Sequence, residues 1–552
     1  MWSVVVYNNL YSIMKVYFNL TIDFLRRNLW TFVFLFYQTF LVYLLAINAA
    51  NGDVKERVIV NLLWALLSIM SVCFLNTKLK NWFISIIYAI SFIPNIIVLS
   101  FFLINNYIMK STDFFVIFDT NPNEAFGFFD TLQIKTVFYV IIYIIIGTLL
   151  FIRALKTKGN NTKRYVGIIF LILFTFISAN LPFRSKVASI DFYKSFMNFN
   201  KEIMEIKEFY KNREHIKIDA TSNLNSCPKN IILIIGESAN RHHYSLYGYK
   251  RSTTPRLDSI KSELYIFKDV VTPHIQTLNA IRYICTFSNH STPKLYKKEP
   301  SIVEIFKAAG YKTYWLDNQG SGGIDTYTPT SYRAFAKLSD KFVLLPNGYN
   351  DEELLPVLDS CLNDSYDNKF IVIHLKGSHF PYKDYPNEFR VFNSKENPSD
   401  FCKEMTDKDI ENINNYDNTI LYNDFIISSI LKKVKSHSGL NLILYTSDHG
   451  EEMYDTQLYA GRGFENITPS MCEVPFILYL NEAYKEVLGT NSININRAFS
   501  TEDIPHSLLD ICKIDYALKD STRSIFNPNF VEHERFVKEE NYDDIRSRSP
   551  KL

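Results

Sequence analysis

The chain has no excess of either charge. Lys and Arg total 59 and Asp and Glu 57 in 552 residues, a net of +2. That balance gives no bulk electrostatic support for binding nucleic acid or another polyanion. None of the seven cysteines forms a CxxC pair, which argues against a cysteine-ligated metal. The first 28 residues lack a short apolar core with a small-residue cleavage site, so no cleavable signal peptide is expected. The long apolar stretches hold no clear set of ionisable groups, which argues against a transporter.

What is present is unevenly placed. Hydrophobic residues make up 47% of the chain, and most of them sit in its first third. Five stretches, roughly 29–48, 58–75, 82–104, 136–152 and 165–181, approach the ~20 apolar residues that a membrane-spanning helix needs. Alternate loops carry most of the basic residues, the other loops having only Lys55 and Arg57 in one and Lys110 in the other. Lys15, Arg26 and Arg27 precede the first stretch, Lys78 and Lys80 follow the second, and Arg153, Lys156, Lys158, Lys163 and Arg164 follow the fourth. The positive-inside rule puts those loops in the cytoplasm. Five spans then leave everything after about residue 182 outside it. Six cysteines (Cys227, Cys285, Cys361, Cys402, Cys472, Cys512) fall in that exported part, and an even number there predicts disulfides.

These patterns predict three regions: a transmembrane domain over 1–181, a bridging helix and linker over 182–228, and an exported domain over 229–552. Within the first, the Phe-rich loop 105–133 has the character of an amphipathic segment at the membrane surface. Its Thr120 and Glu124 would share a face if helical, although Pro122 lies between them.

The exported region alternates short apolar runs with helical patterns. The runs are NIILIIG (230–236), YKTYWLD (311–317), KFIVIHL (369–375), LNLILYTSD (440–448) and VPFILYL (474–480). Continuous apolar strands between helices predict an α/β domain with a mostly parallel sheet covered on both faces. Ligands in such sheets bind beyond the carboxyl ends of the strands. Glu237, Asp317, His374 with His379, and Asp448 with His449 all fall at those ends. Glu237, Asp448 and His449 offer two carboxylates and one imidazole, a set suited to divalent zinc or manganese. Thr277 sits at the predicted start of a helix, where free N–H groups attract phosphate oxygens. Taken by itself it reads more readily as a plain helix cap.

Five stretches together, IIGESANRHHYSLYGYKRSTTPRL (234–257), DVVTPHIQTLNAIRYICTFS (269–288), DNQGSGG (317–323), HLKGSHFPYKDYP (374–386) and YTSDHGEEMYD (445–455), resemble the membrane-anchored phosphoethanolamine transferases of the alkaline phosphatase/sulfatase superfamily. The resemblance covers nearly the whole chain. It implies a zinc enzyme (manganese being an alternative) of the bacterial inner membrane, multi-pass and monomeric, with a periplasmic catalytic domain. Glu237, Asp448 and His449 would be zinc ligands, and Thr277 both the fourth ligand and the nucleophile. Phosphatidylethanolamine would donate phosphoethanolamine to Thr277, and a lipopolysaccharide or lipooligosaccharide acceptor (lipid A or core heptose) would receive it. His379 matches a histidine beside the transferred phosphate. Ser321 matches a substrate-binding segment, and Thr120 and Glu124 match a pair that contacts the head group.

Several positions depart from the family pattern. No histidine lies between His449 and His506, Val116 stands where many relatives have Asn, and the cysteines are widely spaced. With DHGEEMYDT and YAGR, these features point to the branch acting on core heptose more than to the colistin-resistance branch acting on lipid A. Two other readings remain: a phosphoglycerol transferase of the lipoteichoic-acid-synthase type, and a non-enzymatic membrane sensor. A type I sulfatase is disfavoured, because Cys285 is followed by Thr286–Phe287–Ser288 and not by the x-P-x-R context that chemistry needs.

Overall fold

The computed structural model describes residues 26–37, 52–105, 134–159, 164–179, 188–211, 213, 216–224, 228–319, 333–346, 348–399, 404–462, 466–489 and 493–549. These fall into two compact units, one ending at Lys201 and one beginning at Glu202.

The first unit is helical. Its helices include α1 (Gly52–Cys73), α2 (Thr77–Asn105), α3 (Ile134–Leu155) and α4 (Arg164–Ala179). Helix α5 (Ala188–Lys211) follows them. α1 packs on α4 and α2 on α3, with Trp64 against Phe174 and Tyr88 stacked on Phe151. The outward face of α3 is a stripe of exposed Phe138, Ile141, Ile145 and Leu149. A continuous apolar stripe of that kind is costly in water and is at home in lipid.

Among the described residues, two helical stretches, Thr77–Phe101 and Thr136–Leu155, are long and apolar enough to cross a membrane. The sequence pattern predicts five. Ile59–Val72 and Tyr165–Phe176 are apolar but shorter. The predicted first span lies partly outside the described residues, and the loop 106–133 lies wholly outside them.

The second unit is built on a seven-stranded sheet. Its strands are β1 (Lys229–Gly236), β2 (Leu264–Ile266), β3 (Lys312–Asp317), β4 (Lys341–Leu344), β5 (Asn368–His374), β6 (Leu440–Ser447) and, later in the chain, Phe476–Leu480. The spatial order is β2, Phe476–Leu480, β6, β1, β5, β3, β4. From β6 to β4 every pairing is parallel. Phe476–Leu480 runs antiparallel to both of its neighbours. The sheet is therefore mixed, where the sequence pattern predicts a mostly parallel one: its four pairings from β6 to β4 are parallel and the two of Phe476–Leu480 are antiparallel. A continuous apolar run reports burial on both faces and carries no sign of direction.

β1 illustrates why the run is continuous. Ile231, Leu233 and Ile235 join the core on one face of the sheet, and Ile232 and Ile234 join the core on the other. Both sets are fully buried. The long helix α6 (Asp407–Lys435) contributes Ile413, Tyr416, Ile420 and Ile427 to the second of these cores. It begins with a capping box of Thr406 and Asp409.

The expected disulfides are absent at four of the six exported cysteines. Cys285, Cys361, Cys472 and Cys512 are buried free thiols, behaving as small apolar core residues. Cys227 and Cys402 lie outside the described residues.

Candidate active site

Strand register sets the position of the site. Gly236 pairs with Ser447, Ile235 with His374, and His374 with Asp317. Four strands therefore end level with one another. The next residues along β1 and β6, Glu237 and Asp448–His449, enter the same space beyond the sheet edge.

The geometry of the turn after β1 is specific. Ser238 adopts a left-handed backbone with φ of 57°, unusual for a residue with a side chain. This turns its N–H toward Asp448 Oδ1 at 3.1 Å and its hydroxyl toward Glu237 Oε1 at 2.8 Å. One residue thus holds both carboxylates. The loop after β5 closes against the same turn. Ser378 N–H donates to the Glu237 carbonyl at 2.9 Å. At Gly377, φ is 58°, and an added Cβ would lie 2.8 Å from the Glu237 nitrogen. Only glycine fits that approach. By contrast, Gly236 makes room for the Tyr445 ring, whose hydroxyl would lie 2.8 Å from an added Cβ.

Glu237, Asp448 and His449 are fully buried, and one ligand atom from each lies within 4.8 Å of the others. His449 Nε2 is 3.2 Å from Glu237 Oε1 and 3.2 Å from Asp448 Oδ2. His449 Nδ1 donates to the Gly450 carbonyl at 2.9 Å, which leaves the Nε2 lone pair facing the cluster. Asp448 Oδ2 is buried and makes no hydrogen bond, although His449 Nε2 is close.

Electrostatics point the same way. Burial pushes the Asp448 carboxyl up to about 6, and the adjacent Glu237 adds to the rise. Glu237 lies well below the usual carboxylate range, because the pull of His449, helped by His379 and Arg462, outweighs the cost of burial. Two buried carboxylates that repel each other, an orphaned oxygen and a lone pair aimed at both are a set that a divalent cation completes.

Thr277 is the first residue of α7 (Thr277–Cys285, placed in the chain between β2 and β3), and Gln276 before it makes no side-chain cap. The Thr277 hydroxyl does not cap the helix either. It lies 3.0 Å from Glu237 Oε2 and 3.2 Å from His449 Nε2. The half-buried hydroxyl thus meets the cluster at a helix N-terminus, where backbone N–H groups and the dipole favour phosphate oxygens.

His379 follows β5 in the loop that begins with Gly377. Its Nδ1 donates to the Phe380 carbonyl at 2.7 Å, so Nε2 is the atom left to carry or take a proton. Asp317 and His374 reach the sheet edge but stay out of the cluster; they face each other, with His374 Nδ1 3.6 Å from Asp317 Oδ2. Ser321, Thr120 and Glu124 lie outside the described residues. His242 and His243, near Glu237 in the sequence, both have carboxylate partners. His242 faces Glu473, and His243 is buried between Asp417 and Asp455.

Some contributors have little signal in the sequence. Ser238 reads only as a small residue. Gln319, beside Asp317, approaches Glu237 Oε2 at 3.4 Å while donating to the Leu375 carbonyl. Arg462 reaches His449 Nε2 at 2.5 Å from a separate hairpin. YAGR could have flagged Arg462 as a charge near the SDHGE segment, but not its direction.

The chain is similar to several known proteins. The family described as Sulfatase matches residues 229–514. Phosphoethanolamine transferase EptC of Escherichia coli K12 is 28% identical over 542 residues, covering 91% of this chain and 92% of that protein. The crystal structure of the C-terminal periplasmic domain of EptC from Escherichia coli, in complex with Zn, superposes with a TM-score of 0.54 at 32% identity, covering 58% of this chain and 91% of that one. The integral membrane protein lipooligosaccharide phosphoethanolamine transferase A from Neisseria meningitidis has a TM-score of 0.62 at 16% identity, covering 90% and 98%. That last likeness extends the fold match through the helical region.

Proposed function

This chain belongs to the sulfatase family, and we propose that within it the protein is a phosphoethanolamine transferase of the bacterial inner membrane. It moves phosphoethanolamine from phosphatidylethanolamine to lipid A or a core heptose of lipopolysaccharide or lipooligosaccharide. The observation that carries this reading is the Thr277 hydroxyl, 3.0 Å from Glu237 Oε2 and 3.2 Å from His449 Nε2 at a helix N-terminus. The names of its relatives supply the transferred group. The Zn complex of the Escherichia coli domain supports zinc as the metal.

Glu237, Asp448 and His449 would hold the zinc, with Thr277 as the fourth ligand. Zinc bound there supplies positive charge that lowers the pKa of the Thr277 hydroxyl and stabilises charge on the phosphoryl oxygens. In the first half-reaction the Thr277 hydroxyl loses its proton to solvent, Oγ1 bonds to phosphorus, and the bond from phosphorus to the diacylglycerol oxygen breaks. The leaving oxygen takes a proton from His379 Nε2. Phosphoethanolamine then sits on Thr277 as a phosphothreonine. In the second half-reaction His379 takes the proton of the acceptor hydroxyl. The acceptor oxygen bonds to phosphorus and Thr277 Oγ1 departs. Ser238, Ser378 and Gly377 do no chemistry here; they fix Glu237 and Asp448 in place.

The membrane part of the proposal rests on the loop charges, the lipid-compatible stripe of α3 and the membrane relatives. Five spans put the catalytic domain (229–552) in the periplasm, joined through 182–228. Thr120 and Glu124 would contact the donor head group, and Ser321 the substrate.

The test uses the purified full chain, zinc and vesicles of phosphatidylethanolamine. Diacylglycerol release by the wild type, absent in Thr277→Ala, is the expected result. Equal release by both, or none from the wild type under any metal, would overturn the proposal.

A further inference from the structure

Arg462 sits where a second positive charge meets the reacting centre. The hairpin of Glu452–Met453 and Ala460–Gly461, antiparallel with Gly461 opposite Glu452, turns the chain back over the end of β6. Arg462 follows it directly. Its Nη1 lies 2.5 Å from His449 Nε2 and 3.4 Å from the carbonyl of Ile275, two residues before Thr277. Its Nε lies 3.3 Å from Glu451 Oε2. The other oxygen of that carboxylate accepts the Tyr382 hydroxyl at 2.9 Å. Tyr382 belongs to the loop that holds His379. The guanidinium is therefore oriented on its Nε side by a buried carboxylate that is itself fixed.

The opposite edge is the informative one. His449 Nε2 has a single in-plane lone pair. It either accepts from Arg462 or binds a cation, and cannot do both. Once a cation takes it, Nη1 loses that partner while Glu451 keeps the guanidinium in place. The released N–H groups then face the space beside Thr277 Oγ1, which stands 3.2 Å from the same nitrogen. That space is surrounded by the carboxylates of Glu237, Asp448 and Glu451. An incoming phosphoryl group meets those carboxylates, and the guanidinium adds a fixed positive charge to that of the bound cation and of the α7 N-terminus. A guanidinium is permanently charged, and its planar fork matches two phosphoryl oxygens at once.

We propose that Arg462 anchors the non-bridging oxygens of the phosphoryl group transferred at Thr277. The proposal rests on the transferase reading above, but its chemistry concerns phosphate oxygens from any source. Inorganic phosphate therefore probes it without the lipid donor. The experiment compares zinc-loaded full-length wild type, Arg462→Ala and Arg462→Lys in detergent. Zinc content is measured by elemental analysis and phosphate affinity by calorimetry. We expect all three to hold zinc. Phosphate should bind Arg462→Ala at least about tenfold more weakly, the cost of one lost charge-assisted hydrogen bond. Arg462→Lys should fall between, because it restores the charge without the fork. Unchanged phosphate affinity in zinc-loaded Arg462→Ala would overturn the proposal. So would zinc loss in both variants, which would make Arg462 a structural part of the metal site, and so would failure of the wild type to bind phosphate. If Arg462 governs phosphate binding but the wild type releases no diacylglycerol from phosphatidylethanolamine, the anchor stands and the transferase reading falls.

Discussion

Replacing His243 with Gln tests how the catalytic loops are held. His243 lies in the turn after β1 and is buried. Its Nδ1 is 2.6 Å from Asp417 Oδ1 on α6, and its Nε2 is 3.1 Å from Asp455 Oδ1 beyond the SDHGE segment. It thus ties together the segment carrying Glu237, the long helix and the segment carrying Asp448 and His449. Burial alone would push its pKa down, but Asp455 and Asp417 outweigh this and raise it from 6.5 to about 10. At about 1.4 kcal/mol per pH unit, that rise corresponds to ~5 kcal/mol of stabilisation as an upper figure. Asp417 keeps Arg251 and Tyr249, and Asp455 keeps Asn240 and Ser470. The neutral variant should therefore lose about 3–5 kcal/mol at pH 6. Because the folded-state pKa is raised, the stabilisation is fully present below 6.5 and disappears as pH rises through 10. The gap between wild type and variant should narrow toward pH 10. Pulse proteolysis across a urea series, run from pH 6 to pH 10, measures it. A gap below about 1 kcal/mol at pH 6, or one that stays constant to pH 10, would refute the charged-bridge account.

Other expectations follow from single contacts. Ser238→Ala removes the hydroxyl that orients Glu237 and should weaken zinc binding by about 10–100-fold in chelator competition; unchanged affinity would mean the backbone turn alone positions the carboxylate. Gly377→Ala puts a Cβ 2.8 Å from the Glu237 nitrogen in a left-handed conformation and should cost at least ~1–2 kcal/mol in thermal unfolding; a melting temperature equal to wild type would contradict that geometry. Cys285, Cys361, Cys472 and Cys512 should react with a thiol reagent under non-reducing conditions only after denaturation, as mass mapping can determine; protection of any of them in the denatured chain would reveal a disulfide.

Much of the site was legible because strand ends are legible. Apolar runs stopping at Glu237, Asp317, His374 and Asp448 mark one edge of a sheet, and parallel register does the rest. That logic also has a blind spot. Asp317 and His374 reach the same edge as Glu237 and Asp448, yet they face each other from the adjacent strands β3 and β5. Edge position does not tell a ligand from a neighbour. Strand direction was hidden for Phe476–Leu480, because burial on both faces erases the alternation that separates an antiparallel strand from a parallel one. The bridging position of His243 has no signal in the sequence, since its partners Asp417 and Asp455 are 174 and 212 residues away. Arg462 was equally hidden, because a short hairpin, not a strand end, brings it to His449. The cysteine count misled for a different reason: compartment sets whether disulfides can form, while packing sets whether any two thiols meet.

The most direct test of the central claim is peptide mapping of the zinc-loaded full chain after incubation with phosphatidylethanolamine. Mass spectrometry should find phosphoethanolamine on the peptide containing Thr277, with fragment ions locating it on that hydroxyl, and no adduct in Thr277→Ala. An adduct on another residue, or diacylglycerol release with no covalent adduct at any time point, would contradict a phosphothreonine at Thr277.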